Sequence, residues 1–544
     1  MRPELVAWLR NKIQTDVIIM RDTDTVVGEN GAPAAWMFDF RRVFLNPEFA
    51  ENIGEAIWAT IQRLQPTKVG GMESAALPLI AGATSRARLL GAETSGFFIR
   101  KSRKPTGRQK LIEGEVNSDD SVVLVDDLMN TGRSILRQVD VLLAEGIRVK
   151  AVCVIVSFHD TDWYTELAAR NVEVISIFSL SDFPSIEHKI PSSAPTPMSF
   201  EVIWKFGIQA PNLFYIIPKS APVLDEKYVY FGADDGTFRA LDKHTGHVVW
   251  EFKIPYGIDG KYIFSSAAIH NGVVFFGAYD GCVYALECLT GTLVWKNQDA
   301  EWVGSSPALA PEKGILYIGF EHGLWGRHGA IVALDIRTGE RKWVCEVVGT
   351  VHATPAYSMK FNLVMCGSND GTVRALDADT GAPLWSVYTR GEVKASIALD
   401  DENGIAVFGS LDGNVYLVDL HNPASVTSVE FKAGIYSTPL IHGNLAYVGC
   451  LDRHIYAIDL KEGTVVWKAE TGGRVFASPV LFENELYSGS NDGWLYILDP
   501  VTGEKKGCAH TTERIVNAIA IDTIERRFYV PTQACEIYCL RRKI

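Results

Sequence analysis

The sequence predicts two domains of different class, a parallel-sheet α/β domain followed by an all-β eight-bladed propeller. Three observations carry this. Strand-like apolar runs alternate with helical patterns over residues 1–188. A Pro/Ser stretch, 189–200, breaks the alternation as a linker. Residues 201–544 then repeat themselves at intervals of 40 to 48 residues. A chain of 544 residues exceeds one ordinary core, so more than one domain is expected.

The first part is read from its alternation. "VVLV" (122–125) is followed by the helical pattern "SILRQVDVLLAEG", "VKAVCVIVSF" by "DWYTELAARNV", and "EVISIFSL" closes the series. Gly146 stands where a helix would end. Apolar runs of this kind, each followed by a helix, describe parallel βαβ units. The linker "IPSSAPTPMS" spaces Pro191, Pro195 and Pro197 among small polar residues, which favours extended backbone.

The second part is a set of copies. "YFGADDGTFRALDKHTGHVVW" recurs as "FFGAYDGCVYALECLTGTLVW", "VMCGSNDGTVRALDADTGAPLW" and "AYVGCLDRHIYAIDLKEGTVVW". Equivalent glycines fall at Gly232, Gly277, Gly319, Gly367, Gly409, Gly449 and Gly489, and Pro531 takes that place in a last copy. Each unit is expected to begin with a small-residue strand such as "SSPAL" (305–309), "ATPAY", "STPLI" or "ASPVL". The period, the Asp-Gly turns and the alternation describe four-stranded blades. The last copy lacks its outer strand, and "EVIWKF" (201–206) is expected to supply it and close the ring. Trp204, Trp250, Trp295, Trp343, Trp385 and Trp467 are expected to pack between neighbouring blades. The pairs Asp235-Gly236, Asp280-Gly281 and Asp370-Gly371 read as turns rather than calcium ligands. An insertion carrying His322, Trp325, Arg327 and His328 is either a binding loop or a tether to a neighbouring domain or subunit.

Totals narrow the function classes. A net charge of −13 argues against a general nucleic-acid binder. No apolar run reaches the roughly 18 residues of a membrane span, and the N-terminus lacks a signal-peptide pattern. Nine cysteines without CxxC or zinc spacing suit a reduced, cytoplasmic protein. No metal-ligand set is expected from protein side chains alone.

The chemistry concentrates in "VVLVDDLMNTGRSI" (122–135). A buried strand delivers Asp126 and Asp127 to its carboxyl end, where ligands of open α/β sheets bind. Asn130, Thr131, Gly132, Arg133 and Ser134 form a turn opening a helix, whose free N–H groups and hydroxyls suit a phosphate. The two carboxylates suit vicinal sugar hydroxyls. Upstream, Arg100, Lys101, Arg103, Lys104, Arg108 and Lys110 place six cations in eleven residues. Beside a sugar-phosphate cradle, mobile cations of this kind stabilise a departing pyrophosphate and exclude water.

The 122–135 segment resembles the phosphoribosyl-pyrophosphate (PRPP) motif of type I phosphoribosyltransferases. "WMFDFRRVFLNPEFAENIG" (36–54), "VGGMESAALPLIAGATSRA" (69–87) and "FFIRKSRKPTGRQKLIEGEV" (98–116) are similar to successive segments of the orotate phosphoribosyltransferase branch. The resemblance implies the 5′-phosphate on 130–134 and the ribose hydroxyls on Asp126 and Asp127. It implies pyrophosphate near Glu73, Ser74, Arg100 and Lys101, with Lys104 as the catalytic-loop lysine beside the two aspartates. It further implies Mg²⁺ as cofactor and a homodimer in which each loop closes over the neighbouring site. Two positions depart from the branch. Thr106 precedes Gly107 where His or Tyr is usual, and Ser157-Phe158 stand where Asp-Arg is usual. PRPP binding is therefore expected, and preference for a carboxylated pyrimidine is not.

The propeller repeats resemble pyrroloquinoline-quinone-type (PQQ-like) repeats over roughly 200–544, without the adjacent cysteines of the quinone dehydrogenases. The expected activity is Mg²⁺-dependent transfer of 5-phosphoribose from PRPP to a nucleobase-like acceptor, with the propeller as a binding or regulatory platform for a protein or small ligand. The alternatives are a non-catalytic PRPP or nucleotide sensor coupled to a propeller scaffold, and a scaffold whose cradle is vestigial.

Overall fold

A computed structural model describes residues 1–20, 36–100, 112–130, 132–161, 164–183, 200–208, 211, 220–255, 262–323, 328–511 and 513–542. The chain divides into two compact units, Met1–Ser192 and Ser193–Ile544.

In the first unit, α1 (Pro3–Lys12) leads to a short antiparallel pair, β1 (Ile18–Met20) with β2 (Trp36–Phe38). Then come α2 (Pro47–Ile61), β3 (Lys68–Gly70), α3 (Ala76–Leu89), β4 (Ser95–Gly96), β5 (Phe98–Ile99) and β6 (Ile112–Glu113). The unit finishes with β7 (Val122–Met129), α4 (Arg133–Ala144), β8 (Val149–Ser157), α5 (Thr165–Ala169) and β9 (Glu173–Ser179). Pro47 opens α2 behind Asn46, whose side chain accepts from the Phe49 N–H at 3.1 Å.

The main sheet runs β4-β3-β7-β8-β9, all parallel. Because strand side chains alternate, Val123 and Val125 pack with α2 and α3 on one face, while Val122 and Leu124 pack with α4 on the other. From β3 the chain crosses through α3 to β4 on one side; from β7 it crosses through α4 to β8 on the other. Strand order therefore reverses between β3 and β7, and the crevice beyond their carboxyl ends is the place where such sheets bind ligands.

The second unit contains eight four-stranded antiparallel sheets. As expected, Phe200–Phe206 pairs with Ile537–Arg542 and completes the eighth blade. Phe200, assigned to the linker by composition, already belongs to this strand; the rest of the linker, 189–199, lies outside the described residues.

Five of the six tryptophans explain the repeat directly. Trp250 donates its indole N–H to the Cys288 carbonyl of the next blade at 2.8 Å, and its ring lies on Gly291. Gly291 has φ +70°, and a Cβ there would come within 2.5 Å of the indole, so this turn requires glycine twice over. Trp204, Trp295, Trp343 and Trp467 make the same bond to Lys243, Ile336, Ala378 and Pro500. Trp385 differs in its facing turn, which reads "HNPAS" (421–425) instead of Thr-Gly.

The small-residue runs are strand only in their last two residues, and their first three residues lead into it. The inner strands are three residues long and begin later, at Ala308, Ala356, Leu440 and Val480. The serines and threonines before them bind neighbouring blades: Ser266 N–H donates to Ser306 Oγ and Thr438 N–H to Ser478 Oγ, each at 2.9 Å. Small hydroxyl residues are needed there because each must both fit and accept a neighbour's N–H.

The Asp-Gly pairs are turns, as expected, with Gly236, Gly281 and Gly371 in the left-handed region. Each aspartate is consumed internally. Asp280, for example, accepts from the Cys282 N–H at 3.1 Å and from the Tyr284 hydroxyl at 2.6 Å. At the closing seam, Lys243 and Asp522 form a buried ion pair of 2.7 Å between blades one and eight. Hydrogen bonds from Lys243 and two backbone N–H groups overcome burial and hold the Asp522 carboxyl below its ordinary range.

Candidate functional site

The described residues of the expected site come from separate elements of the first unit: Glu73 and Ser74 follow β3, Arg100 follows β5, Asp126 and Asp127 lie on β7, and Ser134 lies on α4. β7 continues through Met129, so Asp126 and Asp127 lie within the strand rather than beyond it. Asp126 continues the side of β7 that carries Val122 and Leu124, yet at this end of the strand the two carboxyls stay close enough to interact directly. Both are held by the backbone ahead of them. Asp126 Oδ1 accepts from the Asp127 N–H at 3.0 Å, and Asp127 Oδ1 from the Leu128 N–H at 2.9 Å.

Their electrostatics are unfavourable. Burial, then repulsion from Asp127, pushes the Asp126 carboxyl up to about 8. Burial also raises Asp127, against the pull of the Arg41 guanidinium. Arg41 stands beyond β2 and is itself oriented by Asp39, with Nε to Oδ1 at 2.8 Å. Arg41 belongs to the family-like segment 36–54 but was given no role from sequence, because nothing local shows that a residue 86 positions before Asp127 would face it.

In the segment expected to hold the phosphate, Gly132 caps α4, and Arg133 and Ser134 already belong to its first turn. Gly132 has φ +76°, which only glycine adopts without strain. Asn130 is exposed and Gly132 is buried. Thr131 and the Arg133 side chain lie outside the described residues. Tyr164 clasps this segment. Its hydroxyl donates to the Met129 carbonyl at 2.9 Å, and its ring lies against Gly132. Burial pushes that hydroxyl up to about 12, so it stays a donor at neutral pH.

The 71–75 loop meets the cradle from β3. Ser134 Oγ reaches Met72 Sδ at 3.9 Å, and the Glu73 N–H donates to the Ile99 carbonyl at 3.0 Å. The Glu73–Ser74 peptide is cis. Arg100 follows β5 and pairs with Glu113 on β6, Nη1 to Oε1 at 3.1 Å, bracing the two legs of the basic loop. Lys101 and Lys104, with Arg103, Thr106, Gly107, Arg108 and Lys110, lie outside the described residues.

The carboxyl end of β8 forms the remaining wall. Ser157 is buried, and Phe158 packs against Phe38 with ring centroids 5.9 Å apart. Phe38 also meets Phe183 at 5.6 Å, so this wall is aromatic. His159 follows, edge-on to Tyr164; burial lowers its pKa, leaving a neutral imidazole near pH 7. Neither Tyr164 nor His159 was singled out from sequence, since a lone aromatic or histidine after a strand carries no distinctive pattern. Among the described residues no group of three or more His, Cys, Asp or Glu side chains is arranged to hold a metal ion.

Comparisons with known proteins divide the chain in the same way. Residues 42–177 match the phosphoribosyl transferase domain family. Residues 198–361 and 369–537 match the family described as outer membrane protein assembly factor BamB. An orotate phosphoribosyltransferase of Methanocaldococcus jannaschii is 30% identical over 158 residues, 29% of this chain and 86% of that relative. The enzyme of the same name from Rhodopirellula baltica is 29% identical over 160 residues, 28% of this chain and 82% of that relative. Among solved structures, BamB from Moraxella catarrhalis matches with a TM-score of 0.51 at 16% identity, covering 63% of this chain and 100% of that one. Quinohemoprotein alcohol dehydrogenase from Comamonas testosteroni matches with a TM-score of 0.53 at 16% identity, covering 63% of this chain and 76% of that one. At such identities these two show the propeller fold alone. The chain thus belongs to the phosphoribosyltransferases through its first domain and to the BamB-type propeller family through its second.

Proposed function

We propose that the first domain transfers 5-phosphoribose from PRPP to a nucleobase-like acceptor, with Mg²⁺ as cofactor and release of pyrophosphate. The observation that carries this reading is a buried acidic pair, electrostatically penalised, beside a glycine-gated helix start at the strand-order reversal. In this assignment the 130–134 segment receives the 5′-phosphate and the Asp126–Asp127 pair receives the ribose hydroxyls. The 72–74 loop and the basic segment from Arg100, with Lys101 and Lys104, face the pyrophosphate. Closure of that segment excludes water and neutralises the leaving group as positive charge builds on the anomeric carbon.

Mg²⁺ is commonly held by one or two carboxylates together with substrate oxygens, and Asp126 with Asp127 is a donor set of that kind. When bound, Mg²⁺ supplies charge neutralisation on the pyrophosphate. The acceptor lies against Phe38 and Phe158, with the neutral His159 able to hydrogen-bond a ring N–H or nitrogen. An aromatic wall without a cation at Phe158 favours an uncharged base over a carboxylated one. A homodimer, a cytoplasmic location and a propeller that positions or regulates the transferase complete the proposal. No helix among the described residues is long and apolar enough to cross a membrane.

The test is pyrophosphate release from PRPP with Mg²⁺, with orotate beside other pyrimidines and purines. Release that depends on one uncharged base supports the whole reading. Release with orotate overturns the reading of Phe158. No release with any acceptor, together with tight PRPP binding, makes the domain a sensor.

A further inference from the structure

The transferase reading leaves one polar cluster of the propeller unused. The first strands of successive blades adjoin one another at the centre of the ring, and the segment entering each blade leads into them. In seven of these segments a buried Val or Ile packs on the repeat glycine of the blade before, as Val303 does on Gly277. The next position holds Phe264, His352, Lys394, Tyr436, Phe476 or Val516, but Gly304 where the chain enters the third blade (Ala308–Val347). Gly304 is not in the left-handed region, so space alone calls for glycine. A Cβ there would stand 2.6 Å from the Tyr279 hydroxyl oxygen and 2.7 Å from Glu321 Oε1.

Glu321 is only 3% exposed. Its Oε1 accepts from the Gly304 N–H at 3.0 Å and lies 3.2 Å from His352 Nδ1, while no described residue bonds Oε2. The network continues through His352 Nε2, 3.5 Å from Thr350 Oγ1, which accepts from Asn369 Nδ2 at 2.7 Å. It ends on Asn369 Oδ1, which is buried and makes no hydrogen bond. Two acceptors are thus left over, a carboxylate oxygen and an amide oxygen, and each is costly to bury alone. The adjoining Tyr279 ring stands edge-on to Phe264 with centroids 5.5 Å apart. Burial, then Glu321, pushes its phenol well above the ordinary range, so it stays a neutral hydrogen-bonding group near pH 7.

What this cluster lacks is an N–H donor that carries positive charge. A hard metal ion answers poorly, because it takes about six oxygen ligands. Among the described residues no group of three or more His, Cys, Asp or Glu side chains could hold one. An alkylammonium supplies both the charge and the N–H donors, and aromatic rings attract it. We propose that Glu321 and Asn369, beside the Tyr279 and Phe264 rings, bind an organic ammonium ion. This site does not rest on the transferase reading.

The experiment titrates the full chain with 1,4-diaminobutane by calorimetry near neutral pH and low ionic strength. Its fully N-methylated counterpart, which keeps both charges and loses every N–H, and Mg²⁺ are the comparison probes. Wild type should bind one diaminobutane saturably, and the methylated probe about tenfold more weakly or worse. Glu321→Gln should weaken diaminobutane about tenfold or more, and so should Gly304→Ala, which displaces the Tyr279 hydroxyl and Glu321. Asp379→Asn, at an exposed aspartate, should bind as wild type does and so exclude general attraction to an acidic protein. Diaminobutane should also raise the unfolding temperature of the propeller in wild type and not in Glu321→Gln. If Gly304→Ala does not fold, the isosteric Glu321→Gln decides. The proposal is overturned by a wild type that shows no saturable binding, or by equal affinity in folded Glu321→Gln. Equal binding of the methylated probe, or displacement of diaminobutane by equimolar Mg²⁺, also overturns it.

Discussion

The acidic pair of β7 and the aspartates of the propeller turns are held in opposite ways. In the propeller, Asp370 accepts from the Thr372 N–H, the Ser368 hydroxyl and Arg374. Asp412 accepts from the Arg390 and Asn414 N–H groups and from the Tyr416 hydroxyl. Burial works against both charges, but these bonds outweigh it and hold both carboxyls below the ordinary range. Asp126 and Asp127 show the reverse, with burial dominant and both carboxyls raised. A carboxylate that its surroundings stabilise is part of the scaffold. Under the proposed function, one that its surroundings penalise is completed by a bound ligand.

That contrast can be broken or sharpened by substitution. The largest expected effect is at the penalised pair: Asp127→Asn should lower PRPP-dependent pyrophosphate release at least about 100-fold while leaving the fold intact by circular dichroism. Next come the propeller tryptophans. Trp250→Ala removes a buried ring and an inter-blade bond and should cost about 3–5 kcal/mol in denaturant unfolding of the propeller. Trp385→Ala, at the position that faces no glycine turn, should cost less. Asp370→Ala should follow, costing about 1–3 kcal/mol by stranding Arg374 and the Thr372 N–H, with pyrophosphate release unchanged.

A further prediction concerns the pH dependence of the first domain. Asp126 in the folded state sits well above its ordinary value of 3.8. The native state therefore holds a proton that the unfolded chain releases, and stability falls as pH rises from about 4 to about 8. Above the folded value the contribution is gone and the curve levels. A continuous fall of the first transition temperature across this window is expected, and Asp126→Asn should flatten it.

Much of this was legible in the sequence because it is repeated or locally patterned. Seven equivalent glycines, the Asp-Gly turns and the tryptophans announce the blades, and "EVIWKF" announces the closing strand. The acidic pair, the glycine of the cradle and the helix after it are contiguous, so their proximity needs no tertiary knowledge. What was not legible depends on packing across the chain. Arg41 acts electrostatically on Asp127 only because the turn after β2 folds near β7. The Lys243–Asp522 pair joins residues 279 positions apart at the seam. The first three residues of the "SSPAL"-type runs were misread as strand because small residues suit a strand and a tight inter-blade contact equally well; only the bonds from Ser266 to Ser306 and from Thr438 to Ser478 separate the two.

The central claim is that the chain maintains Asp126 for a ligand at the expense of its own stability. The direct measurement is calorimetry on Asp126→Asn beside wild type at pH 8, recording PRPP binding in Mg²⁺ and the unfolding temperature of the first domain. The two quantities should move in opposite directions. Binding should be lost, while the transition rises by a few degrees, about 1–2 kcal/mol, because a buried charge has been replaced by a neutral isostere. Retained PRPP affinity, or a lower unfolding temperature, would contradict the account and make Asp126 a structural residue like those of the propeller turns.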